Sequence, residues 1–331
     1  MQIINAKDFF NLDKNILIDA RSPSEYKKAH LKKAFNFYAL NDNEHEIVGT
    51  KYANNKFHAK LLGASLICKN TSIHLKKIEK LANPHKDKIY IYCARGGQRS
   101  GAIGHILSEI GYEVYKCEGG FKSLRNEMID FLNTYKNPNF VSLSGNTACG
   151  KTRLLKILDN KIDLEGLAHH LGSTFGSRGF SQPSQQQFDI NLISKLKALK
   201  NEKVFIEAES KNIGQIVLFN NFYEQMNSGI KVFCEASLET RINNCVSDYK
   251  SISKEFFYFC LERLKQYLGN ALVNDLSSFY EKNDLENVAK ILLVNYYDKV
   301  YKKPKDYDFV LNLDDLEKAK QELLKLNNQK S

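Results

Sequence analysis

Two short stretches combine residue types that can do chemistry. The first is Cys93-Ala94-Arg95-Gly96-Gly97-Gln98-Arg99-Ser100, a thiol followed by two glycines and two arginines. A thiol attacks only as thiolate, so its free pKa of about 8.5 must be lowered. A Gly-rich turn can aim successive N–H groups at the sulfur, and a following helix N-terminus adds the positive end of a dipole. Arg95 and Arg99 add full charge. Such a pocket suits an anion such as thiosulfate, phosphate or selenophosphate. The second stretch, Gly145-Asn146-Thr147-Ala148-Cys149-Gly150-Lys151-Thr152, fits the phosphate-binding pattern G-x-x-x-x-G-K-[ST]. Its N–H groups would wrap a diphosphate, Lys151 would add a point charge, and the Thr152 hydroxyl would be available to Mg²⁺. The pattern does not say which diphosphate is bound. Cys93, Arg95 and Arg99 are thus the candidate catalytic residues, and Gly145, Gly150, Lys151 and Thr152 the candidate diphosphate ligands. Cys149 reads as a small filler, because a phosphate loop needs no thiol.

Other residues could assist. A magnesium-binding acid commonly ends a strand beside a phosphate loop; Glu207 and Glu209 in KVFIEAES are the candidates, or else they only form a solvated strand end. Glu165, His169 and His170 lie in DLEGLAHHLGSTFG, a stretch too broken for a long helix. With one acid nearby and no His-x3-His spacing a metal is not expected, and these histidines serve acid–base chemistry, phosphate contacts or only the structure. Arg178, Gln182 and Ser184 in SRGFSQPSQQQFD either contact a ligand or only begin a helix. NYYDKVYKKPKDY interleaves tyrosines with lysines. Such rings either stack on unpaired bases or pack a core while the lysines are solvated.

These residues need strands and helices to hold them. NILIDA, KIYIYC and YEVYKCEGG read as short buried strands. SPSEYKKAH opens a helix with Ser22 as cap and Glu25 three residues on, and RSGAIGHILSEIG and FKSLRNEMIDFLNTY carry apolar residues at helical spacing. The alternation predicts a mainly parallel sheet. NTYKNPN, with Pro138, is the candidate linker. FVSLSG, KVFIEAES, IKVFCEA and YDFVLNL form a second strand set. The expected domains are 1–134 and 135–331, with a helical segment over about 240–303.

Composition narrows the class. A chain of 331 residues is long enough for two domains, and 43% hydrophobic with 26% charged residues is the balance of a globular protein. No apolar run approaches the ~20 residues that span a bilayer, and MQIINAKDFFNLDKN lacks a secretory core, so no membrane role is expected and the expected compartment is the cytoplasm. Seven widely spaced cysteines without a CxxC speak against a disulfide framework or a zinc site. The net charge of +10 suits a polyanionic partner, although a Lys-rich composition alone also gives it.

IDARSPSEYKKAH, AFNF and YCARGGQRS together resemble a rhodanese homology domain. Asp19 and Arg21 match its first strand end, Glu25 and His30 the next helix, and Lys33 stands where that domain usually has glycine. The C-x5-R spacing is shared with cysteine-dependent phosphatases, so the loop alone separates neither sulfur nor selenium transfer from phosphate ester hydrolysis. Over nearly the whole length, CxRGGxRS, NDNEHEIVGTKY, GxTxxGKT, DLEGLAHHxGSxFG, QPSQ, ExESxxIG and YYD follow in the order of the bacterial tRNA 2-selenouridine synthase family, which the chain resembles. Ala148 departs from the glycine usual there.

The resemblance implies a rhodanese-like parallel-sheet domain followed by a P-loop NTPase-like α/β domain with a helical appendage. It implies that wobble 2-thiouridine in tRNA is geranylated from geranyl diphosphate and then converted to 2-selenouridine with selenophosphate, in other words a selenotransferase and geranyltransferase. No tightly bound cofactor and no obligate protein partner is expected. The rivals are a P-loop nucleotide hydrolase with a regulatory rhodanese or phosphatase-like domain, and a non-catalytic RNA-binding module.

Overall fold

Short apolar strands alternating with helices build two parallel sheets. The computed structural model describes residues 1–325 apart from 14, 138, 173, 174, 178, 180, 209, 302 and 305. The chain divides into two compact units, Met1–Leu132 with Asp189–Ile193, and Asn133–Phe188 with Ser194–Ser331.

The first unit holds β1 (Gln2–Ile4), β2 (Ile16–Asp19), β3 (Phe35–Asn36), β4 (Lys88–Tyr92) and β5 (Glu113–Cys117), in the order β1-β5-β4-β2-β3, with every pairing parallel. The helix Pro23–Lys28 starts with the expected capping box, Ser22 and Glu25 each satisfying the other's backbone N–H. Four of the five residues of β4 are buried, and its end registers Asp19 against Tyr92. Cys93 therefore leaves the sheet beside the end of β2. Between β3 and β4 stand two helices, Asp42–Asn54 and Lys56–Leu81. The longer one buries Ala59, Gly63, Ile67, Asn70, Thr71, His74 and Ile78, a helical stripe with three polar members. Asn70 is satisfied there by the Glu44 carboxylate and the Ala39 carbonyl.

The second unit holds β6 (Phe140–Gly145), β7 (Lys161–Ile162), β8 (Val204–Glu207), a two-stranded hairpin of β9 (Asn212–Ile213) and β10 (Ile216–Val217), β11 (Ile230–Glu235) and β12 (Phe309–Asn312). The main sheet has the order β12-β11-β6-β8-β7 and is parallel throughout. All six residues of the central β6 are buried. Its partner β8 sets Glu207 level with Leu143, so that acid reaches the carboxyl end of the sheet where the Gly145 loop begins. The helical appendage consists of Leu238–Tyr249, Lys254–Glu281 and Leu285–Leu292, then a π-helical turn, Leu293–Tyr297, and Asp298–Val300. Phe175, Phe257, Leu261, Leu264, Val288 and Leu292 make its core. Tyr296 and Tyr297 are half-buried and pack against that core, in line with the packing alternative for these two rings. Among the described residues no helix is long and apolar enough to cross a membrane.

Candidate active sites

Cys93 sits at the floor of the turn between β4 and the helix Gln98–Glu109. It is 3% exposed and belongs to the core of its unit, while Arg95 and Gly97 above it are exposed. The sequence led us to expect N–H groups aimed at the sulfur. Among the described residues the Ser100 hydroxyl instead donates to it, at 3.1 Å. The N–H groups of Arg95, Gly96 and Gly97 donate to no backbone carbonyl among the described residues.

The turn is pinned from below. Phe121 N donates to Cys93 O at 2.8 Å and Lys122 N to Ala94 O at 3.0 Å. Gly96 has φ 64°, and a Cβ there would lie 2.8 Å from Cys117 O. Gly120 has φ 61°, and a Cβ there would overlap the Cys93 carbonyl oxygen and Gly96 N. Only glycine fits at either position.

The arginines divide. Arg99 is held by the Glu25 carboxylate through both terminal nitrogens, so its charge is already partnered. Burial alone would raise the Glu25 carboxyl, but the hydrogen bond and charge of Arg99 prevail and hold it below the usual carboxylate range. Arg95 makes no ion pair among the described residues and is the loop cation open to an incoming anion. Arg21 is buried, paired with Asp19 at 2.6 Å and stacked 3.8 Å over the Phe121 ring. His30 stacks on Tyr26, so both residues are structural here. Lys33 adopts φ 64°, a left-handed turn made without glycine. Gly96, Gly97, Gln98, His105 and Lys116 line a cleft of about 460 Å³ beside the loop, and Cys93 is not part of its wall.

The second site is a cleft of about 1000 Å³ around the Gly145 loop. Gly145 and Gly150 have φ 157° and 106°, and a Cβ on Gly145 would overlap Cys234 O. Lys151 lies along the cleft with Nζ 3.0 Å from Gly145 O. Thr152 donates its hydroxyl toward Glu165 at 2.9 Å and Glu207 at 3.4 Å. Glu207 also accepts from Glu165 N at 3.1 Å. Thr152, Glu165 and Glu207 thus meet at one place, a set of hard oxygen donors that suits Mg²⁺. Cys149 is fully buried under the loop, as a filler is.

His169 lines the cleft from a left-handed helix end at φ 52°. His170 does not line it. Its ring accepts from Gly172 N, and burial lowers its pKa, which keeps it neutral. Gln182 clamps Ala168 O, Ile213 O and Gln215 N. Ser184 accepts from Gln187 N at a helix start. Both therefore build the scaffold. Arg178 and Glu209 lie outside the described residues.

Several residues that sequence reasoning passed over hold this loop. Arg241 Nε donates to Thr147 O at 3.0 Å, Asn244 Nδ2 to Ala148 O at 2.9 Å, and Gly145 N to the Tyr301 hydroxyl at 3.4 Å. Arg241 is buried and forks onto Asp298, the acid of the YYD segment. Beside the cleft lies an apolar slot lined by Phe175, Val246, Ile252, Phe257, Tyr280 and Val288, among others. Thr147 and Tyr249 line both spaces.

Comparison with known proteins fits this two-part geometry. Residues 5–127 match the rhodanese-like domain, and residues 138–258 match the tRNA 2-selenouridine synthase AAA domain. A tRNA 2-selenouridine synthase of Hydrogenovibrio crunogenus is 30% identical over 91% of this chain and 94% of its own length. The chain belongs to the tRNA 2-selenouridine synthase family. The synthase of Alcanivorax borkumensis is 36% identical over 70% of this chain and 66% of its own length. That of Pseudomonas savastanoi pv. phaseolicola is 33% identical over 77% of this chain and 74% of its own. Both expected domains of the family, rhodanese-like and P-loop-like, are thus present in sequence and in fold.

Proposed function

We propose that this chain is a tRNA-modifying transferase that converts wobble 2-thiouridine to 2-selenouridine through an S-geranylated intermediate. The observation that carries the reading is the shared wall of the phosphate cleft and the apolar slot at Thr147 and Tyr249. A diphosphate in the loop would have its ester end beside aromatic and aliphatic walls. Such walls suit a hydrocarbon tail better than the ribose and base of a nucleotide. The names of the relatives supply the tRNA substrate and the selenium product. The cytoplasm, where tRNA resides, belongs to the same proposal.

In the first step the thiouridine sulfur attacks C1 of geranyl diphosphate. A C–S bond forms, the C–O bond breaks, and diphosphate leaves with the electron pair. Lys151 and the loop N–H groups stabilise that departing charge. A Mg²⁺ held by Thr152, Glu165 and Glu207 would supply further charge neutralisation there. In the second step the selenium of selenophosphate attacks C2 of the base, geranylthiolate leaves with the electron pair of the C–S bond, and water takes up the phosphoryl group as the Se–P bond breaks. Arg95 and the N–H groups around Cys93 hold the anionic donor, and the Cys93 thiol takes part in handling the selenium. Arg99, fixed by Glu25, braces the turn and does not grip the donor.

Purified protein with thiolated tRNA, geranyl diphosphate and selenophosphate, each omitted in turn, tests this by mass spectrometry of the digested nucleosides. S-geranyl-2-thiouridine is expected without selenophosphate and 2-selenouridine with all three. Nucleotide hydrolysis without tRNA, with neither nucleoside formed, would reverse the reading in favour of a P-loop hydrolase. Lys151→Ala should weaken geranyl diphosphate binding by roughly 100-fold, as loss of a charge-assisted phosphate contact does. An unchanged affinity by calorimetry would remove Lys151 from the site.

A further inference from the structure

The phosphate loop is steadied from outside by two elements, and both also wall the apolar slot. The helix Leu238–Tyr249 carries Arg241 and Asn244, which bond the carbonyls of Thr147 and Ala148. The same helix gives Cys245, Val246 and Tyr249 to the slot. Arg241 and Cys245 are four residues apart, so they share one helix face. The π-helical turn Leu293–Tyr297 gives Tyr297 to the slot, and the next residue, Asp298, grips Arg241 with contacts of 3.1 and 2.6 Å. A π-helical turn inside a helix often marks a functional place.

Arg241 is not itself an anion ligand. It is buried, it is absent from the cleft wall, and its three nitrogens are engaged by Thr147 O and Asp298. Its bond to Thr147 O has a consequence for the loop. The peptide is planar and trans, so fixing that carbonyl outward turns the Ala148 N–H to the opposite side. Ala148 holds this geometry at φ 62°, where an L-residue is strained. The loop therefore needs an external brace to keep its anion-binding shape.

The slot is narrow, with about 50 Å³ of open space, so a ten-carbon chain enters only as wall side chains move. Those walls carry the brace. We propose that Arg241, oriented by Asp298, is a positioning residue through which filling the apolar slot sets the phosphate loop and tightens diphosphate binding. This rests on the reading that the cleft takes a diphosphate and the slot its hydrocarbon tail. By linkage the effect is mutual: diphosphate must tighten binding of the tail by the same factor.

Calorimetry on the full chain with inorganic diphosphate and geraniol as separate probes tests it. In the unaltered protein saturating geraniol should raise diphosphate affinity at least about fivefold, the lower end of ordinary coupling. Asp298→Asn, nearly isosteric and partly exposed, should abolish that gain while geraniol still binds. Arg241→Lys keeps the charge but loses the fork, and should do the same. In turnover with geranyl diphosphate, Asp298→Asn should raise KM with little change in kcat, a split that simple loss of folded protein would not give. Retained geraniol binding shows that the variants are folded. Two probes that both bind with no mutual effect, or a gain that persists in both variants, overturns the inference and leaves the proposed function standing. Failure of geraniol to bind at all overturns both.

Discussion

The Cys93 turn and the Gly145 turn both leave the carboxyl end of a buried parallel strand and run into a helix, yet they are held by different means. The Cys93 turn is pinned by backbone bonds from Phe121 and Lys122, and its arginine is locked by a carboxylate of the neighbouring helix. Its geometry is set within its own sheet. The Gly145 turn is braced by side chains of Arg241, Asn244 and Tyr301, about a hundred residues or more further along the chain. A turn fixed by backbone packing is preformed. A turn fixed by distant side chains can be adjusted by whatever moves them. The first arrangement suits a small anionic donor meeting one sulfur. The second suits a ligand with two ends, whose tail can act on the grip at its head.

The largest expected effect separates the two sites by chemistry. Cys93→Ser should lower 2-selenouridine formation to background and leave geranylation within about twofold, read by nucleoside mass spectrometry. Equal loss of both products would mean that the sites do not divide the work. Gly120→Ala comes next. Its Cβ would press into the Cys93 carbonyl and the Gly96 nitrogen at φ 61°, and the Phe121 anchor leaves the turn nowhere to go. A cost of about 3 kcal/mol in urea unfolding is expected, with lost thiol function. A neutral result would show the first turn to be as adjustable as the second.

Glu25→Gln probes the charge lock with a smaller effect. A carboxyl held below its ordinary value stabilises the fold above the unfolded pKa and loses that contribution as pH falls through the folded one. The variant should therefore be less stable by about 1 kcal/mol at neutral pH, since the pair is partly exposed. Its deficit should shrink below pH 4.5 and vanish in stronger acid. A deficit independent of pH would assign the effect to packing.

Much of this was legible in the sequence because the chemistry demands local patterns. The capping box at Ser22 and Glu25, the glycines of both turns, and the order of strands and helices follow from neighbours in the chain. The two helices Asp42–Leu81 between β3 and β4 were not read as helices. Their buried stripe is interrupted by Asn70, Thr71 and His74, so apolar periodicity is faint; Thr71 bonds back to Ile67 O in its own helix, whereas Asn70 and His74 Nε2 find their partners, Ala39 O and Tyr38 O, only in the folded chain. The sulfur's neighbour was misjudged for a related reason. A Gly-rich loop can aim N–H groups inward or outward, and only the tertiary contacts at Phe121 and Lys122 decide which. The YYD segment with Asp298 stood out, but its pairing with Arg241 was missed, because nothing between residues 241 and 298 announces that they meet. Cys245, which lines the slot, has its thiol pushed up to about 12 by burial, with Asp248 adding to the shift. It therefore packs as a neutral group, which a count of cysteines could not distinguish from chemistry.

The smallest expected effects compare the two units through one backbone feature. Lys33 and Ala148 each stand where the resembling families use glycine, and each holds a positive φ, 64° and 62°. A left-handed conformation costs an L-residue roughly 1 kcal/mol, whereas glycine adopts it freely but loses more chain entropy on folding. Lys33→Gly should therefore stabilise the first unit by a few tenths to about 1 kcal/mol without changing either reaction. Ala148→Gly should give a similar gain in stability but act differently on function. Relieving strain in a turn that depends on the Arg241 brace should tighten diphosphate binding and weaken its dependence on the filled slot. Calorimetry on both variants compares them directly. If Ala148→Gly left diphosphate affinity where it was and gained only stability, the second turn would be as fully preformed as the first, and the contrast between them would be one of sequence alone.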